Sequence, residues 1–427
     1  MITSKLNVEN AEIVPGMVPS QSRSQTRLLL ERWGAEPLMY FALLPDKNYF
    51  WENASDPRWA IAYRKIGRFA LVLGDPLGDP NAASDAVEAF LQMCRRRRWT
   101  PAFYQVSPHH LALYRDAGLR AVKVGEEARI GLEDFTLAGK RFKNLRNDLR
   151  RVEKSGIALE EFGPDAPPSL ANVQEMAAIC DGWRKANRAK EANFAMGAFD
   201  PHSALFADSR IFAARDLASG RMLAFTTFVP AFGQAGERDW TLDLMRRQAD
   251  ALHGVMDFLI VSAAQKFAAE GSQLLSLGLS PLAGASHPGE APQLAFIRRF
   301  LYQRMGRIYN FQGLHTFKSK FATHWEPRYL IYQPGIALAA TAGAVLKAHL
   351  TPEDPPTRLR KRPAMQRGLV LASLLVLMLS PFEKTLAKRA VIHPHRWAHF
   401  HALHFHPHLL HFHPKGVTFG QQSSPVA

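Results

Sequence analysis

Two stretches in the second half of the chain set charged side chains inside apolar sequence. In T-L-D-L-M-R-R (241–247), Asp243 and Arg246 have an odd spacing. That puts them on opposite faces of an ideal strand unless the strand ends or bulges between them. In Y-N-F-Q-G-L-H-T-F-K-S-K-F-A-T-H-W-E-P-R-Y-L (309–330), Asn310 and Gln312 can bond a polar substrate. Lys318 and Lys320 are cations beside Phe317 and Phe321, while Glu326 and Arg328 open a strand. Carboxylates of this kind hold a cation or take a proton, and the basic groups stabilise developing negative charge. An ion pair or a solvated lysine face accounts for any one of them singly; their joint occurrence points to a site.

The elements that position them read as an α/β pattern given twice. PLMYFALL (37–44), WAIAYRKIG (59–67) and RFALVLGDP (68–76) are strand-like, and Asn81 to Arg98 is a helix with Val87, Phe90, Leu91 and Cys94 on one face. PAFYQVS (101–107), a short helix from His109 to Ala117 and the strand LRAVKVG complete the first half. The second runs through strand 157–162, helix Leu170 to Lys190, strands 210–216, 222–232 and 239–246, helix Gly254 to Ala269 and strand 274–281. The expected domains are 28–135 and 157–350, after a polar leader (1–27) without an apolar signal core and before a tail (351–427).

Between the halves, the linker 136–156 holds AGKRFKNLRNDLRRVEKS (138–155). Phe142, Leu145, Leu149 and Val152 form an apolar stripe at helical spacing, and Lys140, Lys143, Arg146, Arg150, Arg151 and Lys154 spread over the opposite broad face. Asp148 and Glu153 are too few to balance them. Over 427 residues the formal charge is +15, which suits nucleic acid or an anionic membrane surface. Hydrophobic residues make up 47% and charged ones 21%, which places the chain among globular proteins rather than disordered ones. Cys94 and Cys180 are the only cysteines and have no metal-ligand spacing, as expected for a reducing cytoplasm.

In the tail, the apolar run Leu369 to Leu379 is shorter than the ~20 residues that span a bilayer. Arg358, Arg360, Lys361, Arg362 and Arg367 before it, and Lys384, Lys388 and Arg389 after it, suit anionic headgroups. Nine histidines follow Ile392, some in His-x-His spacing, but Pro394, Pro407 and Pro414 break any long helix, so low-complexity sequence is the expectation.

Acyltransferases of the GNAT type cradle the CoA pyrophosphate on a glycine-rich turn at a helix N-terminus. The matching place reads A-D-A-L-H-G-V-M: Gly254 is present, while Val255 and Met256 fill the space a close backbone approach needs. A GNAT-like fold with a donor other than CoA is expected.

LGDPLG (73–78), AFYQVSP (102–108), VGEEARI (124–130), KNLRNDLRRVEKSG (143–156), TLDLMRR (241–247), GVMDFLI (254–260), YNFQGLHTFKSKF (309–321) and WEPRYL (325–330) together resemble the catalytic domain of aminoacyl-phosphatidylglycerol synthases. The likeness covers residues 30–335 in order. It implies two tandem GNAT-like domains flanking a basic helix. It implies aminoacyl-tRNA as donor, phosphatidylglycerol as acceptor, no cofactor or metal, and a peripheral place on the cytoplasmic side of the membrane. Lysine is favoured over alanine chiefly by the family's usual name. Two departures stand out: the family's long multi-spanning flippase is not in this chain, and Ser319 stands where an acidic residue is usual. Under this resemblance Arg246, Lys318 or Lys320 stabilises the oxyanion of the attacked ester, and Asp243 or Glu326 holds the substrate ammonium or helps remove the hydroxyl proton. Glu126 and Glu127 are candidates to line the tunnel, and the six basic residues of the linker to hold tRNA. The rival expectations are a peptidoglycan-type aminoacyltransferase and a non-catalytic tRNA- or lipid-binding module.

Overall fold

A computed structural model describes residues 19–351 except 35, 54–55, 134, 188–193, 196, 233–237, 282–310 and 337. Contacts divide the chain into Met1–Asp354 and Pro355–Ala427. The apolar run and the histidines of the tail lie outside the described residues.

In the first half, β1 (Asn48–Trp51), β2 (Trp59–Ile66) and β3 (Phe69–Leu73) form an antiparallel meander, and the two-residue β4 (Leu77–Gly78) pairs with the start of β2. Helix α2 (Ala83–Arg96) then crosses to β5 (Thr100–Val106), parallel to β3. The second half repeats the plan. Its antiparallel strands are β7 (Ile157–Phe162), β8 (Arg210–Asp216), β9 (Met222–Phe232) and β10 (Arg238–Arg247). Helix α7 (Val255–Ala269) leads to β11 (Leu274–Pro281), parallel to β10. A meander, a helix and a parallel strand, given twice, is the tandem GNAT-like architecture expected.

The halves are not joined only by a linker. The last strand of the first half, β6 (Arg120–Gly131), pairs antiparallel with β11, and the last strand of the second, β12 (His324–Tyr332), pairs antiparallel with β5. β6 and β12 also pair with each other, so the two halves exchange strands and share one sheet. Nothing local in the sequence signals this exchange.

Packing follows the apolar periodicities. On one face, α2 and α3 (Leu111–Asp116) cover the first half through Phe90, Phe103 and Tyr114. On the second half, α7 buries Phe267 between Trp240, stacked at 4.7 Å, and the edges of Phe212 and Phe228. Each such ring, removed from water, stabilises by roughly 1.5–3 kcal/mol. The basic helix α4 (Lys143–Lys154) adds Leu145 and Val152 to that core. On the opposite face lie α1 (Pro19–Trp33), α5 (Leu170–Asn187), the short α6 (Ala204–Asp208) and α9 (Leu338–Leu350), with α8 (Phe311–Ser319) preceding β12. Arg64 of β2 donates to Ala348 O at 2.7 Å and Thr351 O at 2.9 Å, satisfying carbonyls at the end of α9.

The expected strand 37–44 is instead a 3-10 turn, Met39–Leu43, with Tyr40 to Leu43 buried. A short continuous apolar run carries no period that separates the two states.

Candidate active site

The parallel pairing of β10 with β11 holds at Trp240–Leu275 and Thr241–Ser276. Beyond it β10 shifts register between Leu242 and Leu244, and β11 between Ser276 and Leu279. The strands diverge at their C-terminal ends, where open α/β sheets take ligands. The first shift falls on Asp243 and releases it from the ideal alternation. Asp243 accepts the Gly197 N–H at 2.6 Å, and the Arg246 guanidinium lies 4.1 Å from the Trp183 ring of α5. Both residues thus turn toward α5 and the segment after it. A methyl group at Gly197 would stand 2.6 Å from Asp243 Oδ2, so only glycine allows this approach. Arg246 Nε is buried and forms no hydrogen bond with any described residue.

On the β11 side, Lys318 Nζ donates to Gly278 O at 3.1 Å and Leu279 O at 2.8 Å. Burial lowers its pKa to about 7, against the opposing pull of Glu127. Ser276 Oγ donates to Glu127, which links this end of β11 to the strand-exchange seam.

The seam is a buried charge cluster. Pairing sets Glu326 opposite Glu127, a repulsive arrangement that needs cations beside it. Arg129 and Arg328 supply them, each two residues along its strand and so on the same face. Arg328 donates from Nε to Glu127 at 3.0 Å and from Nη2 to Glu36 at 2.9 Å. Arg129 reaches Glu326 at 2.6 Å, Glu127 at 3.0 Å and Glu36 at 3.3 Å. Burial alone would push the Glu127 carboxyl up, but Arg328 and Arg129 hold it down to about 2. Three carboxylates thus share two guanidinium groups, with the buried Lys318 amine as a further cation close to Glu127. Glu326 Oε1 is buried and accepts no hydrogen bond from any described residue, with Arg328 Nη2 at 3.3 Å. Burial, aided by Glu36 and Glu127, raises the Glu326 pKa despite both arginines.

Lys318, Glu127, Glu326 and Arg328 thus lie along β11, β6 and β12, and Asp243 and Arg246 lie on the neighbouring β10. Two other candidates are tied elsewhere. Lys320 donates to Asp257 of α7 at 2.7 Å, and Glu126 pairs with Lys123 at 2.6 Å. Asn310 lies outside the described residues, and Gln312 is described only as backbone of α8. Sequence reasoning missed Glu36, Arg129, Ser276 and Trp183. Arg129 lay within the quoted VGEEARI motif; Glu36, in an ordinary Gly-Ala-Glu-Pro turn, gave no signal.

The basic helix divides its cations. Arg146 donates to Leu137 O and, at 2.9 Å, Gly139 O; Arg151 donates to Asp148 and to His253 O. Lys140, Lys143, Arg150 and Lys154 are exposed and form no ion pair with any described residue. The same helix decides the question of CoA. Gly254 caps α7 with φ +95°, and a methyl group there would meet Asp148 Cβ at 3.1 Å and Arg151 Nη2 at 3.4 Å. The paired side chains of Asp148 and Arg151 occupy the space that a close approach of pyrophosphate to this helix end needs, so the residues present do not fit a CoA cradle.

A family model described as phosphatidylglycerol lysyltransferase, C-terminal, matches residues 27–332. A phosphatidylglycerol lysyltransferase of Bacillus subtilis is 32% identical over 316 residues, covering 73% of this chain and 35% of the relative. The lysylphosphatidylglycerol biosynthesis bifunctional protein LysX of Mycobacterium ulcerans is 28% identical, covering 78% and 30%. The chain spans about a third of the length of these curated relatives. Among solved structures, the C-terminal domain of a putative lysylphosphatidylglycerol synthetase from Agrobacterium fabrum is 30% identical with a TM-score of 0.67, covering 78% of this chain and 98% of that one. L-PGS from Bacillus licheniformis is 28% identical with a TM-score of 0.65, covering 77% and 97%.

Proposed function

Because this chain belongs to the family of phosphatidylglycerol lysyltransferase C-terminal domains, we propose that it moves an aminoacyl group, lysyl in preference to alanyl, from aminoacyl-tRNA to the glycerol hydroxyl of phosphatidylglycerol. It would do so from the cytoplasmic face of the membrane. The observation that carries this reading is the buried Glu326 Oε1, which accepts no hydrogen bond from any described residue. An aminoacyl ester brings an ammonium group, and an ammonium at Glu326 Oε1 would supply the missing hydrogen bond. Lysine, with a second ammonium, suits an acidic seam better than alanine does.

Lys318 supplies the opposite charge. Near pH 7 its ammonium form, held by two carbonyls, keeps a third N–H for the oxyanion of the attacked ester. Arg246, with Nε unpaired, can donate to an ester or phosphate oxygen. Exchange of one ester for another is nearly balanced in energy, so the transfer needs no nucleotide.

The test is incubation of the purified chain with labelled lysyl-tRNA or alanyl-tRNA and phosphatidylglycerol vesicles. Label in the lipid, greater from lysyl-tRNA, is expected. Label only in a supplied cell-wall precursor would indicate a peptidoglycan-type transferase, and no label in either a binding module.

The exposed face of α4 is the tRNA contact in this reading. Changing Lys140, Lys143, Arg150 and Lys154 to glutamine should weaken tRNA binding and flatten its log–log salt dependence by about one unit per lost phosphate contact. Arg146→Ala should instead loosen the 137–139 turn it ties down. A salt series identical to wild type for the quadruple variant would remove α4 from the tRNA interface.

A further inference from the structure

The first half carries, at the matching end of its own parallel pair, a cluster the transfer reading leaves unused. Asp75 follows β3 and His110 follows β5, and Asp243 and the Lys318-bound carbonyls lie past the last residues that pair β10 with β11. Asp75 is buried and doubly anchored: Oδ2 accepts the Ser107 N–H at 3.0 Å and Oδ1 the Tyr114 O–H at 3.1 Å. His110 Nδ1 stands 3.4 Å from Asp75 Oδ1, short of the alignment of a full hydrogen bond. Catalytic hydrogen bonds are often this long before substrate binds. The His110 side chain is 29% exposed, and no described group bonds its Nε2. The turn that bears it packs on β12, the strand of Glu326 and Arg328.

We propose that His110, oriented by Asp75, carries the proton of aminoacyl transfer between the acceptor and donor oxygens. The proposal rests on the transfer reading above. Neutral Nε2 takes the proton of the glycerol hydroxyl as that oxygen bonds to the ester carbonyl carbon. The tetrahedral adduct then breaks its bond to the tRNA ribose oxygen, which leaves with the same proton from Nε2. One ester forms, one breaks, and the imidazole ends as it began. The carboxylate fixes Nδ1 as the protonated nitrogen and stabilises the transient imidazolium, a pairing that recurs in acyl transfer on unrelated folds.

The groups facing His110 set its pH dependence. Its hydrogen-bonding relation to Asp75 raises the pKa above the usual histidine value; burial opposes this, the charges of Asp75 and Glu36 add to it, and Arg328 subtracts. Tyr114, from α3, shares the carboxylate and stays protonated. Activity requires the neutral ring and therefore rises with pH through this elevated pKa.

The experiment uses the full chain, lysyl-tRNA and phosphatidylglycerol vesicles across a pH series. His110→Gln should lower kcat about 100-fold or more, leave KM and the melting temperature unchanged, and abolish the acid limb. Asp75→Asn should retain part of the rate and move the acid limb to lower pH. If that buried substitution unfolds the chain, the half-exposed His110→Gln variant decides alone. A His110→Gln kcat within about threefold of wild type, with the acid limb in place, overturns the proposal and leaves the transfer reading standing. A wild-type chain that labels no lipid overturns both.

Discussion

Replacing Arg328 with methionine should lower the free energy of unfolding by about 3–5 kcal/mol at neutral pH, the usual cost of stranding a buried charge partner. Arg328 is 1% exposed and touches Glu127, Glu36 and Glu326 together. Methionine matches its length but leaves three carboxylates with Arg129 as their one guanidinium partner among the described residues. With typical stabilities of ~5–15 kcal/mol, that is a large share of what holds a protein folded. The pH dependence identifies the cause. Glu127, held down to about 2 against an ordinary value of 4.5, contributes stability that is fully present above pH 4.5 and lost as pH falls through 2. Arg328→Met removes most of that contribution, so the gap between variant and wild type should be widest above pH 4.5 and narrow on acidification. Urea unfolding at neutral and acidic pH measures it. Equal midpoints at neutral pH would mean that the seam cluster does not stabilise the exchanged strands.

Lys318→Met should reduce aminoacyl transfer by about 100- to 1,000-fold, the range seen when an oxyanion donor is removed. The fold should survive, because the lysine is itself a burden. A buried amine with a pKa near 7, against 10.5 unfolded, binds fewer protons folded than unfolded between those values. Its burial therefore costs stability below pH 7, and that cost fades as pH rises toward 10.5. Methionine removes the buried charge at the expense of two hydrogen bonds to backbone carbonyls. Activity should move the other way with pH. Wild-type transfer needs the ammonium and declines above pH 7, whereas the residual rate of the variant lacks that alkaline limb. Circular dichroism recorded beside a pH–rate series separates loss of chemistry from loss of fold. A folded variant with near wild-type turnover would take Lys318 out of the mechanism.

The amino-acid sequence carries the repeated α/β plan, the amphipathic basic helix, and the family through motifs lying in order. It also placed Glu127, Lys318, Glu326 and Arg328 among the candidates. These features are local: apolar period fixes which face of a helix or strand is buried, and a charge within such a face must find a partner. Which partner it finds is not local. The exchange of β6 and β12, which brings Glu127 to Arg328, arises in the assembled fold, as does the approach of Glu36 from the loop after α1. The same holds for Lys320, whose partner Asp257 is brought up by α7, and for Arg146 and Arg151, which the docking of α4 turned from free cations into ties to backbone carbonyls. The run 37–44 shows the converse limit: eight residues apolar throughout have no preferred face, and the space left beneath α1 made them a turn rather than a strand. Periodicity encodes burial, but pairing is settled where backbones distant in sequence come to lie side by side, and the charges of this site sit on such a seam.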